Sequence, residues 1–192
     1  MPTPDRLEIR TLELAHVPAL LKIIADSRRE YGIADKGVEL LEPADHAIYA
    51  TYQRQRSLYF VALLAGEVVG GAGIAPLPGS DPLTCELQRM YLRADVRGRG
   101  IGQALMERAI ASAKQFLFVR CYLETISQMQ PALKFYAKHG FRELAGPFGA
   151  SSHPHNDRWM VKPLRASARA SLDAIAGRAP PRVLAAAFAS PA

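Results

Sequence analysis

Met90-Tyr91-Leu92-Arg93-Ala94-Asp95-Val96-Arg97-Gly98-Arg99-Gly100-Ile101-Gly102-Gln103-Ala104-Leu105 ends a β pattern, passes through a glycine-rich turn and opens an amphipathic helix. A helix that starts without a capping side chain presents unpaired backbone N–H groups, and its dipole favours an anion there. Glycines at 98, 100 and 102 remove the side chains that would hold a phosphate at a distance. Arg97 and Arg99 add positive charge and paired donors. A nucleoside-triphosphate loop needs Gly-Lys-Ser/Thr where the chain has Gly102-Gln103-Ala104, so that reading fails. The dinucleotide pattern G-x-G-x-x-G from Gly98 fails at Gln103. Arg-x-x-Gly-x-Gly, at Arg97, Gly100 and Gly102, is the spacing that remains.

Outward from this segment the chain reads as mixed α/β. Upstream, Leu7–Arg10 forms a short strand. Val17, Leu20, Leu21 and Ile24 then mark one helical face, ending near Tyr31-Gly32 where a left-handed cap fits. Residues 33–42 read as a loop and 43–54 as a second helix. Leu58–Leu64 and Glu67–Ala75 pair as a hairpin across Ala65-Gly66, and Thr84–Leu92 is the next strand. Gly70, Gly71 and Gly73 are poor strand formers, which predicts a close approach to the backbone there. Downstream, Gly100–Phe116 is helical, Phe118–Thr125 a strand and Pro131–His139 a short helix stopped by Gly140. Phe141–Ala145 and Arg158–Leu164 close the sheet. Strand-helix-strand-helix-strand over 84–145 predicts parallel pairing by crossover.

The 192 residues, 49% hydrophobic and 22% charged, suit one globular domain. This domain is expected at 1–164, followed by an Ala/Arg/Pro-rich tail at 165–192 that reads as mobile. No apolar run approaches a membrane span, and Met1–Arg6 lacks a signal-peptide pattern, so a soluble cytoplasmic protein is expected. Cys85 and Cys121 have no metal-ligand spacing and read as buried thiols in a reducing compartment. The net charge is +6, but Arg165, Arg169, Arg178 and Arg182 against Asp173 place half of it in the tail. No nucleic-acid or membrane partner is expected. His153-Pro154-His155-Asn156-Asp157 supplies too few ligands for a metal site, and no metal is expected.

The loop Arg97-x-x-Gly100-x-Gly102 resembles the pyrophosphate loop of the GNAT N-acetyltransferase superfamily. Ala132–Phe141 is similar to the family's second signature, a short helix ending in Tyr-x-x-x-Gly-Phe. The resemblance covers residues 6–164 and is nearest to bacterial acetyltransferases of unassigned substrate, through Glu30-Tyr31-Gly32, Ala34–Gly37, Cys85–Gln88 and Arg120–Thr125. It implies a mostly antiparallel sheet with one parallel, splayed strand pair and helices on both faces. It implies acetyl-CoA as co-substrate, with Met90, Tyr91 and Leu92 bonding the pantetheine and Arg97, Gly98, Arg99, Gly100, Ile101 and Gly102 holding the pyrophosphate. Met129 stands where family members often carry asparagine, so the contact made by that amide is missing.

From the same resemblance, Tyr136 matches the tyrosine that protonates the leaving thiolate, and its ordinary pKa of ~10 suits a donor. Glu86 is the expected base, with Glu124 as rival. Glu30, Tyr31, Lys36 and His153 are candidates for the acceptor side. The expected activity is transfer of an acetyl group to the amine of a small metabolite or amino-acid-like acceptor, by direct attack in a ternary complex. Protein acetylation and a non-catalytic acetyl-CoA sensor are the alternatives, and a homodimer is compatible with the family.

Overall fold

The computed structural model describes residues 6–33, 44–150 and 156–165. Their strands form one seven-stranded sheet in the order β1-β2-β3-β4-β5-β7-β6. The strands are β1 Leu7–Thr11, β2 Leu58–Leu64, β3 Glu67–Pro76, β4 Thr84–Leu92, β5 Arg120–Thr125, β6 Arg142–Leu144 and β7 Arg158–Pro163. The α-helices are α1 Val17–Glu30, α2 Ala44–Tyr52, α3 Ile101–Gln115 and α4 Gln130–Lys138. Every strand pair is antiparallel except β4–β5.

Hydrophobic period explains the layering. Helix α3 buries Ile101, Leu105, Met106, Ala109, Ile110 and Ala113 on one face of the sheet, with Phe60, Ala62, Cys85 and Leu87. Helices α1 and α2 cover the other face, where Val17, Leu20, Ile24, Ile48 and Tyr52 meet Tyr59, Val61 and Leu63. Helix α4 joins the α3 side through Leu133, Phe135 and Tyr136. The Leu64–Glu67 hairpin turns through Ala65 and Gly66, both with positive φ, the mirror-image turn whose twist matches its flanking strands.

The close approach expected at the β3 glycines is made by Leu92 and the Tyr91 carbonyl of β4 at Gly70 and by tyrosine rings at Gly71 and Gly73. A Cβ on Gly71 would lie 2.4 Å from the Tyr59 ring, and one on Gly73 would lie 2.5 Å from Tyr59 and 2.6 Å from Tyr52. The strand thus gives up side chains to admit two phenols. Crossover pairing holds for β4-α3-β5, but β5 and β6 are not neighbours. Strand β7 returns from the end of the domain and inserts between them, satisfying the β5 edge that α4 leaves open. The remaining expected elements match within two residues. The tail beyond Arg165, with Lys36 and His153, lies outside the described residues.

Candidate active site

The parallel pairing of β4 and β5 lasts three residues, Thr84↔Arg120, Cys85↔Cys121 and Glu86↔Tyr122. Beyond it β4 pairs only with β3 and β5 only with β7, so the sheet opens into a fork with Glu86 at its apex. Backbone groups of β4 past the apex have no strand on that side and can bond an extended ligand.

The glycine loop closes one end of the fork. The N–H groups of Gly98, Gly100, Ile101, Gly102 and Gln103 find no acceptor among the described residues, and α3 has no side-chain cap. Gly98 and Gly100 adopt φ of 79° and 80°, a region that costs an L residue energy, and the space in front of both is open. Gly102 is held from below: a Cβ there would lie 3.3 Å from Leu92 and 3.7 Å from Met90 and Phe135. Bare amides at a helix N-terminus therefore face an open cradle, which fits a diphosphate.

Arg97 is engaged elsewhere. Its guanidinium donates to both oxygens of Glu30 at 2.7 Å, its Nε donates to the Leu92 carbonyl at 3.2 Å, and Ser27 Oγ lies 3.5 Å away. Hydrogen bonding from Arg97 holds the Glu30 carboxyl below its usual range. In this arrangement the guanidinium ties the loop to the C-terminus of α1. Tyr31 caps that same helix end, within electrostatic reach of Arg97. Glu30 and Tyr31 therefore border the glycine loop. Arg99 is exposed on the loop.

On the α1/α2 face the fork is lined by acids, amides and phenols. Glu86 is 4% exposed. Its Oε2 accepts from Gln88 Nε2 at 2.6 Å, and Gln88 Oε1 accepts from Tyr52 Oη at 3.0 Å. Burial raises the Glu86 carboxyl to about 7, the Gln88 hydrogen bond opposes this, nearby Glu124 adds to it and Arg89 subtracts. Glu124 Oε1 accepts from Tyr122 Oη at 2.5 Å and its Oε2 accepts from Asn156 Nδ2 at 3.3 Å. Tyr122 Oη in turn accepts from the Phe148 N–H at 3.3 Å. Burial thus shapes the Glu86 carboxyl to take up a proton near neutrality.

Tyr136 comes from α4, its ring edge-on to Phe135 and Phe141. Burial pushes its phenol above the ordinary tyrosine range. Its hydroxyl makes no hydrogen bond among the described residues, and it lies within electrostatic reach of Tyr91. Met129, at the asparagine position, takes a 3.7 Å contact from the Thr125 hydroxyl on its sulfur. Cys85 and Cys121 are free and fully buried on the opposite face from Glu86. The Cys85 thiol beside it and burial push Cys121 well above its usual range. Asp157 spends a carboxylate oxygen on the Ser127 N–H at 2.6 Å. Among the described residues no group of three or more His, Cys, Asp or Glu side chains could hold a metal ion, and no helix is long and apolar enough to cross a membrane.

Sequence reasoning missed Gln88, Tyr52 and Arg89 as site residues. Period two puts Gln88 on the face of Glu86, which was a usable signal. Tyr52 arrives from α2 and Arg89 through a backbone irregularity, and neither leaves a local pattern.

A sheet forked beside an uncapped, glycine-lined helix start is the architecture of an acetyltransferase, and the chain belongs to the acetyltransferase (GNAT) family, whose model matches residues 20–141. Among its relatives is the uncharacterized N-acetyltransferase YjgM of Escherichia coli (strain K12). The two are 36% identical over 162 residues, spanning 84% of this chain and 97% of the relative. A GNAT-family acetyltransferase from Staphylococcus aureus Mu50 shares the fold, with a TM-score of 0.74, 22% identity and coverage of 83% of this chain and 100% of that one. So does a PaiA N-acetyltransferase from Thermoplasma acidophilum in complex with coenzyme A, with a TM-score of 0.63 and 19% identity over 82% of this chain and 99% of the other.

Proposed function

We propose that the protein transfers the acetyl group of acetyl-CoA to the amine of a small acceptor, in the cytoplasm of a bacterium, with both substrates bound at once. The observation that carries this reading is the pairing of bare amides at Gly98 and residues 100–103 with a buried carboxyl, that of Glu86, at the apex of the same fork. The first grips a diphosphate; the second removes a proton from an attacking amine.

Residues 98–103 would hold the diphosphate, and the open edge of β4 along Met90–Leu92 would bond the pantetheine arm. The bound thioester supplies an acyl carbon activated toward nitrogen. Glu86 sits where the strands part. With its pKa near 7 it is about half ionised at neutral pH and accepts the proton that the amine loses as the C–N bond forms. Gln88, itself oriented by Tyr52, fixes the carboxylate in place. As the C–S bond breaks, the sulfur takes a proton from Tyr136, whose raised pKa keeps it protonated over the working range. Glu124 is the weaker candidate for the base, since Tyr122 and Asn156 already engage both its oxygens.

The test has two parts. Calorimetry should register coenzyme A binding to the purified chain, and thiol release from acetyl-CoA should respond to one class of amine. Coenzyme A binding without turnover by any amine would convert the reading to a sensor. Absence of coenzyme A binding would overturn it.

A further inference from the structure

In a regular strand, Gln88 and Arg89 point to opposite faces. Here Gly73 opposes Gln88 and Gly71 opposes Tyr91, so Arg89 and Met90 lie where β3 supplies one residue. This is a bulge. Arg89 adopts φ of 48°, and Tyr59 Oη donates to its carbonyl at 2.7 Å. Tyr59 is 1% exposed, so a core side chain holds the kink in place. A non-glycine residue held in this conformation beside a reaction centre is a costly feature that needs a use.

The bulge turns Arg89 onto the face that carries Glu86. Met90 and Leu92 past it pack on the α3 side, while Tyr91 packs on the α1 side. Arg89 therefore joins Glu86, Gln88 and Tyr91 on one face. Its guanidinium hydrogen-bonds the Tyr52 phenol and lies within electrostatic reach of Tyr59 and Tyr91 and of Glu86.

Arg28 meets it from α1. It is half-buried, its Nε is buried without a hydrogen-bond partner, and it too lies within electrostatic reach of Tyr91. Elsewhere Arg10, Arg29, Arg93, Arg97 and Arg120 each hold a carboxylate; Arg120 also has a buried Nε without a partner, but its charge is paired with Asp81. Neither Arg28 nor Arg89 forms an ion pair among the described residues. A buried donor without a partner, like Arg28 Nε, is costly and rare. Two cations lacking a carboxylate thus flank one phenol, at the mouth of the fork that holds the base.

We propose that Arg28 and Arg89 form an anion clamp in the acceptor pocket, and that the acceptor is an amine carrying a carboxylate, an amino acid in the broad sense. The proposal rests on the acetyltransferase reading above and names its substrate class. Three residues of strand, roughly 10 Å of backbone, separate Glu86 from Arg89. The amine then meets Glu86 while the carboxylate meets the two planar guanidinium groups, which match its geometry oxygen by oxygen. A neutral amine leaves both cations unpaired and forgoes that end of the site.

The experiment sets α-, β- and γ-amino acids against their carboxamides and aminophosphonate analogues. Thiol release from acetyl-CoA gives kcat/KM, and calorimetry on the full chain with coenzyme A present gives binding without chemistry. The best amino acid should exceed its carboxamide by about a hundredfold, the value of one charge-assisted hydrogen bond to each arginine. Arg89→Met and Arg28→Met should each shrink that ratio about tenfold, whereas Arg89→Lys should keep part of it. The deficit in the variants should fall on KM rather than kcat. Equal use of acid and amide, or a ratio unchanged in both methionine variants, overturns the clamp while leaving the acetyltransferase reading intact. Preference for the phosphonate overturns the carboxylate assignment. Coenzyme A binding with no amino acid bound or turned over also overturns it, and no coenzyme A binding at all sinks the underlying function.

Discussion

The two ends of the forked site are built from different material. At the proposed diphosphate end the groups on offer are backbone amides of Gly98 and residues 100–103, and side chains there hold the loop, as Arg97 does through Glu30. At the proposed acceptor end the groups on offer are side chains, Glu86, Gln88, Tyr52, Arg89 and Arg28, gathered from β4, α1 and α2. Backbone sites depend on what is absent, namely Cβ atoms and a cap, so they tolerate sequence change everywhere except at their glycines. Side-chain sites depend on arrivals from several elements, so they can be redesigned while the fold stays. This division lets one architecture keep its activated donor and exchange its acceptors.

The comparison breaks most sharply at Gly100. Gly100→Val places a β-branched residue at φ of 80° and fills the space before the amides. Coenzyme A affinity should fall by more than about a hundredfold, with secondary structure by circular dichroism retained. A change within about threefold would mean that the amides do not hold the diphosphate.

Glu86→Gln should act only at the other end. Turnover should fall by about 10²–10³ while coenzyme A affinity by calorimetry stays within about twofold. In the parent chain kcat/KM should climb with unit slope below an apparent pKa of about 7, because the ionised carboxylate is the active form, and the slope should vanish in the variant. A retained limb would transfer the base role to another group. Tyr136→Phe should cost about tenfold to a hundredfold in kcat. The parent should show no falling alkaline limb below the ordinary tyrosine range, since burial has moved that phenol upward.

Legibility in the sequence follows the same division. The glycine loop, the helix behind it and the parallel pairing of β4 with β5 were readable, because period, glycine spacing and crossover rules act within a few tens of residues, whereas the fork was implied only by the resemblance to the family. Glu86 and Tyr136 enter as candidates only through the resemblance to the family, since no local pattern assigns them a role. Arg89 was not readable: period two assigns it to the opposite face, and only the bulge, held by Tyr59 from β2 across the sheet, brings it round. Tyr52 and Arg28 come from helices whose docking angles no local pattern encodes. Glu30 adds a further long-range case: an arginine 67 positions away pairs with it, which no local pattern announces. Strand β7 between β5 and β6 has the same origin, a long-range pairing that chain order does not announce.

Stability offers a finer measure of how much the acceptor end costs. Burial raises the Glu86 pKa, so the folded state binds its proton more tightly than the unfolded one. Its penalty is absent below the unfolded value, grows as pH rises from there to about 7, and is complete above, on the order of 3 kcal/mol. Glu86→Gln should therefore raise the melting midpoint by several degrees at about pH 8 and leave it nearly unchanged at about pH 4. An equal shift at both values would trace the gain to packing and not to charge.

The smallest effect decides what Arg97 is for. Its pair with Glu30 is one-third to two-fifths exposed, so screening limits it to a few-fold change in affinity. If Arg97 acts by tethering the loop to α1, then Glu30→Ala and Arg97→Ala should each weaken coenzyme A binding about threefold, and the double variant should be no weaker than the singles. If Arg97 instead swings to the phosphates, removing Glu30 frees the guanidinium, and Glu30→Ala should tighten binding while Arg97→Ala weakens it. The two hypotheses differ in sign, not in size, so calorimetry at one salt concentration separates them. Tightening in Glu30→Ala would mean that the diphosphate end also uses a side chain, and the contrast between the two ends would narrow to one of degree.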